Sequence, residues 1–110
     1  MDVVLRLHLL GPMQAWNVAG ESVLPQGRKA RAVLAVLALA DGQKMPRRQL
    51  AVLLWSRMEV SQALARLRDA LHDIRKVLGS SLSAVLTQEN DRLQLRPDAC
   101  LLYTSDAADE

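Results

Sequence analysis

The sequence predicts an α+β fold of winged helix-turn-helix type, on three observations. Apolar residues alternate near both ends, as in "LRLHLL" and "VLTQENDRLQL". Between those ends, three stretches repeat apolar residues at helical spacing, and the segments joining them are short. A tight three-helix core followed directly by a two-stranded ribbon sets that hairpin beside the third helix, and this is the arrangement of a wing.

The elements follow in order. Val3, Leu5, Leu7 and Leu9 alternate with Val4, Arg6, His8 and Leu10 and stop at Gly11-Pro12, which reads as a half-buried strand with His8 at its surface or edge. "MQAWNV" and "ESVLP", separated by Ala19-Gly20, read as two more strands, giving an N-terminal three-stranded antiparallel sheet. After Gln26-Gly27 the period changes. Ala30, Val33, Leu34 and Leu37 mark a helix from about Lys29 to Ala40, apolar nearly all round and therefore central, ended by Asp41-Gly42. Pro46 suits a first helical turn, and "RRQLAVLLW" gives a second helix from Arg47 to Trp55 with Leu50, Leu53 and Leu54 inward and Trp55 against the core.

Leu64, Leu67, Leu71, Ile74 and Leu78 are spaced 3, 4, 3 and 4 apart, the stripe of an amphipathic third helix. Ser61 is its expected N-cap, Arg75 and Lys76 sit where the helix dipole favours cations, and Gly79 ends it. Two alternating runs around Glu89-Asn90-Asp91 make the terminal hairpin.

The last eleven residues, "CLLYTSDAADE", read as the in-frame translation of a transposase-type sequencing adapter. The expectation is therefore a domain over 1–99 whose natural chain continued past Ala99, with 100–110 as an artefactual tail. That tail holds the single Cys, the single Tyr and three of the 12 acidic residues (Asp106, Asp109, Glu110), so residues 1–99 carry 14 basic against nine acidic side chains, a net +5. A balance of that size suits a polyanionic partner.

Several function classes are disfavoured. Outside the tail there is no cysteine for a disulfide or thiolate metal site, and His8 and His72 are the only histidines. No phosphate-binding glycine loop occurs, so no enzyme, cofactor or metal is expected. Asp69 and Asp73 flank His72, but Arg66 and Lys76 stand three residues from them as ordinary helix-surface partners. "MDVVLRLHLL" carries Asp2 where a signal peptide needs a cation, and "AVLAVLALA" is less than half a membrane span, so a cytoplasmic protein without membrane contact is expected. With Trp16 and Trp55 the only aromatic residues outside the tail, a stacking platform for single strands or RNA is disfavoured.

A helical wheel of the third helix puts Gln62, Ala65, Arg66, Asp69, His72, Asp73 and Lys76 opposite the leucine stripe, with Arg68 and Arg75 on its flanks. Two readings stay open on periodicity and charge: a solvated helix face, or a recognition helix in the major groove of double-stranded DNA. In the second, Gln62 and Arg66 near the N-terminal end hydrogen-bond base edges while the flanking arginines hold phosphates. Arg28, Lys29 and Arg31, then Arg47 and Arg48, and Arg92 beside the hairpin turn are further candidate phosphate contacts.

Five pieces in register, "LRLHLLGP", "GRKARAVLAVLALADG", "RRQLAVLLW", "ALARLRDALHDIRKVLG" and "VLTQENDRLQL", resemble the N-terminal DNA-binding domain of SARP-type transcriptional regulators. That domain is itself similar to the winged helix of OmpR/PhoB-type response regulators, and the resemblance spans about residues 3–98. It implies a bacterial transcription factor that binds directly repeated promoter sites, with room for a dimer on DNA. It implies a third helix in the major groove, a wing near the minor groove, and a segment before the third helix, here Ser56 to Val60, that can face RNA polymerase. Arg75 matches the arginine of a terminal "LR" pair that contacts phosphate, with Ile74 in place of Leu, and a BTAD helical repeat commonly follows such domains. The sequence departs from the pattern at Asp73, where relatives often carry a base, at Leu64, where many carry Arg, and in a loop one residue short before the third helix. The rival reading is a winged helix that contacts protein and not DNA.

Overall fold

A computed structural model describes residues 4–9, 11–79 and 82–103. The order is β1 (Leu5–His8), β2 (Gln14–Asn17), α1 (Arg28–Leu39), β3 (Lys44–Pro46), α2 (Arg47–Leu54), α3 (Val60–Leu78), α4 (Leu82–Val85), β4 (Leu86–Glu89), β5 (Arg92–Leu95) and β6 (Cys100–Tyr103). The fold is α+β, with three helices of two turns or more between two small sheets, an arrangement compatible with a winged helix.

The first sheet has the order β2-β1-β6. β1 and β2 form the expected hairpin, but the third strand is not the one expected. "ESVLP" contributes a single bridge, Trp16 to Ser22. The Asn17 side chain explains the early turn: its Oδ1 accepts from the N–H groups of Ala19 and Glu21, and its Nδ2 donates to Glu21 Oε1. Val23 N–H still reaches Ala15 O at 2.9 Å, and then Pro25, which has no N–H, ends the ladder. The third place is taken by β6, which runs parallel to β1 from Leu5↔Cys100 to His8↔Tyr103. The sheet is therefore mixed, and the boundary drawn at Ala99 falls at the start of a paired strand. β1 is the central strand, so His8 is not on an edge; it is half-buried, edge-to-face on Trp16 at 4.8 Å between ring centres.

Burial within β6 pushes the Cys100 thiol up to about 11. Its neutral form is favoured by folding, so this contribution is whole below the ordinary thiol value of 9.0 and fades as pH rises towards 11. Chemical denaturation between pH 8 and about 11 should show a decline on the order of 2 kcal/mol that Cys100→Ala lacks. Parallel declines in both proteins would mean that the thiol is exposed to solvent.

α1 is the central helix, burying Ala30, Val33, Leu34, Leu37 and Ala38 and packing on α2, α3 and β5. A short 3₁₀ turn, Asp41–Gln43, leads into β3, an element hidden to sequence inspection because three residues carry no period. β3 pairs with β5, and β5 with β4, so the wing is the three-stranded antiparallel sheet β3-β5-β4. Its tip is the two-residue turn Asn90-Asp91, both with positive φ (52° and 63°), as a type I′ hairpin requires. Pro46 is the N-cap of α2 and not its first helical residue.

Within α2 the inward residues are Leu50 and Ala51, with Leu54 partly buried. Leu53, expected inside, is 56% exposed, because eight residues of helix can turn only one narrow face to the core. α3 begins at Val60, with Glu59 and not Ser61 at the N-cap, since Ala63 N–H already bonds Glu59 O at 2.9 Å. Its buried stripe is Ala63, Leu67, Ala70, Ile74 and Leu78, with Leu64 and Leu71 on one flank. The stripe is rotated from the leucine-only reading because alanines let α2 and α1 approach closely. Gly79 ends the helix at φ 56°, where a side chain would be strained.

Candidate nucleic-acid interface

Two helices and a hairpin converge on the polar face of α3. Gln62, Ala65, Arg66, Asp69, His72 and Lys76 are exposed along it, as are Arg68 and Arg75 on the flank nearer the wing. On that flank, Arg68, Leu71, His72 and Arg75 of α3 line one groove with Arg47 of α2 and Gln88 of β4. Three guanidinium groups and no carboxylate line this groove, so a phosphodiester is the chemistry it fits.

Arg47 ties the groove together. Its backbone N–H donates to the Asp91 carbonyl at the wing tip (2.7 Å), and its Nη1 donates to Gln88 Oε1 (3.1 Å). The start of α2 is thus anchored to the hairpin through one residue. Gln88 was missed at the level of sequence. The signal was its place beside Leu86 on the inner face of the wing, opposite Leu93, where a polar residue breaks an otherwise apolar pattern.

The other flank of α3 meets the start of α1. Gly27, Arg28, Lys29, Trp55, Arg66, Asp69 and Asp73 line this second groove. Asp73 differs from its expected placing among the base readers: it is half-buried, and a Cβ on Gly27 would lie 3.1 Å from its Oδ2. Gly27 caps α1 with no side-chain hydrogen bond and the first turn holds no acid, so this carboxylate lies near an otherwise uncompensated positive helix pole. Asp73→Ala should lower stability by about 0.5–1 kcal/mol in urea denaturation. Unchanged stability together with tighter DNA binding would instead put the carboxylate against phosphate.

Neither helix-surface pair expected for the acids closes: among the described residues the ion pair that forms is Arg96–Asp98, at 2.9 Å. Two of the candidate phosphate contacts are spent within the fold. Lys29 Nζ donates to Leu54 O at the C-terminal end of α2 (2.6 Å) and sits 5.6 Å from the Trp55 ring centre, and Arg31 Nε donates to Pro25 O. Arg92 stands on the outer face of the wing, across from Glu89, with Lys44, Thr87 and Gln94. Arg48 is exposed but lines neither groove of α3. Among the described residues no three His, Cys, Asp or Glu side chains gather as metal ligands, and no helix is long and apolar enough to cross a membrane.

Comparison with known proteins bears on the origin of this arrangement. No family model matches the chain. The regulatory protein AfsR of Streptomyces coelicolor (strain ATCC BAA-471 / A3(2) / M145) is 39% identical over 74 residues, 67% of this chain and 7% of AfsR. AfsR of Streptomyces griseus is 32% identical over 106 residues, 96% of this chain and 10% of that protein. The chain is a homologue of AfsR. Identity is modest, and the relation supports the SARP-type resemblance seen in the motifs. The chain spans a tenth or less of the length of either AfsR, and both relatives are regulatory proteins by name.

Proposed function

We propose that this chain is the sequence-specific double-stranded DNA-binding domain of a cytoplasmic bacterial transcriptional regulator of the SARP type, without enzymatic activity of its own. The observation that carries the reading is the groove between α3 and the wing, where Arg47, Arg68 and Arg75 meet with no acid among them. In this reading α3 enters the major groove, with Gln62, Ala65, Arg66, Asp69 and His72 towards base edges. Arg47, Arg48, Arg68, Arg75 and Lys76 hold backbone phosphates, and Arg92 brings a charge to the wing near the minor groove. Asp73 serves the start of α1. Directly repeated promoter sites and a dimer on DNA follow from the family resemblance, as does a contact of the α2–α3 turn with RNA polymerase.

The test is selection of binding sites from random duplexes with the purified chain, followed by affinity measurement across salt concentrations. An enriched motif, and a log–log salt slope of several units, are expected because each neutralised phosphate releases counterions. Recovery of no motif would remove sequence-specific recognition from the proposal. The second reading, a module for protein contact, is favoured by Val52, Leu53 and Met58, which lie 42%, 56% and 38% exposed on α2 and the turn after it. Partner binding insensitive to salt, with no duplex bound at low ionic strength, would favour it.

A further inference from the structure

We propose that Gln88 is a positioning residue of this interface, holding the Arg47 guanidinium over the groove between α3 and the wing so that it meets a DNA phosphate. The inference rests on the DNA-binding reading above and concerns how one contact in it is built.

Three positive side chains around one groove repel each other, so a long arginine left free would swing into solvent unless something held it there. Arg68 and Arg75 stand about two turns apart on well-packed α3, each next in the chain to a fully buried residue, Leu67 and Ile74. Arg47 has no such support, since it is the first residue of α2. Its backbone is fixed by the Asp91 carbonyl, and its side chain by Gln88 Oε1.

The chemistry of the acceptor matters. A guanidinium has five N–H donors, and one bond to an amide oxygen leaves four for a phosphate. An amide orients the group without cancelling its charge, whereas a glutamate at the same place would hold Arg47 in an ion pair and compete with the phosphate. Gln88 faces Leu93 on the inner side of the wing, so its amide is directed to α2 and α3 and away from Arg92 and Glu89 on the outer side.

The experiment is a double-mutant cycle on the full 110-residue chain, with Gln88→Leu and Arg47→Ala, singly and together. A mixed-sequence DNA duplex is the probe, and the association constant is read against NaCl concentration. Gln88→Leu should lower low-salt affinity about threefold and flatten the salt slope by up to about 0.9, the share of one phosphate contact. On the Arg47→Ala background it should change neither quantity. A thermal melt of each variant separates this from a role in folding: a lowered melting temperature with the wild-type slope would overturn the proposal, as would equal effects in both backgrounds. If the wild-type chain itself binds no duplex at low salt, the DNA-binding reading fails first, which is a different result from wild-type binding with an inert Gln88.

Discussion

Leu67→Ala should destabilise the fold by about 2–5 kcal/mol, a large share of the roughly 5–15 kcal/mol that holds a domain of this size together. Leu67 is fully buried at the middle of α3, between Ala63 and Ala70 on the same stripe. Those small neighbours cannot move in to fill the space, so the lost transfer energy comes with a cavity. Because α3 is also the proposed reading helix, DNA binding should fall with the folded fraction at higher temperature and recover on cooling. Urea denaturation provides the number, and Leu53→Ala provides the control: at an exposed site it should cost no more than about 0.5 kcal/mol. A Leu67 loss as small as the Leu53 loss would mean that α3 presents a different face to the core.

The second large effect concerns charge. Arg68→Ala combined with Arg75→Ala should weaken binding to every duplex alike, lowering the salt slope by about 1.8. Between 50 and 200 mM salt the double variant should therefore lose about tenfold less affinity than the unaltered chain. Gln62→Ala and Arg66→Ala should behave differently, each relaxing preference at particular bases by about 1–3 kcal/mol while leaving other sequences unaffected. The two patterns are separable by measuring a panel of single-base variants of the selected site at two salt concentrations. Base-specific losses in the Arg68/Arg75 variant would move those residues from the backbone to the base edges.

Elements with a long period were legible in the sequence: α1, α3 and the hairpin of β4 and β5 lie within a residue or two of where spacing puts them. So were β1, β2 and α2, but two other strand pairings were not. β3 spans three residues and owes its existence to pairing with β5, and the expected third strand of the first sheet was displaced by a segment far away in the chain. Neither event has a local signal, because each depends on what lies alongside. The same holds for the site. Periodicity placed Gln62, Ala65, His72 and Lys76 on the open face of α3 correctly, but not the partner of Asp73, which belongs to another helix. Nor does charge counting distinguish Lys29 and Arg31, which hold backbone carbonyls, from Arg47, which keeps its charge towards the groove.

The pairing of Leu5 with Cys100 has a consequence for how the molecule assembles. Contacts of high sequence separation form late, because the chain must first give up the freedom of the whole intervening loop. The helices and the wing depend mostly on nearer neighbours and can condense while β1 and β2 stand as an isolated hairpin, a structure of marginal stability alone. β1 therefore waits for a partner that stands far along the chain. The first sheet is thus the clasp of the fold, and its opening is the expected first step of unfolding.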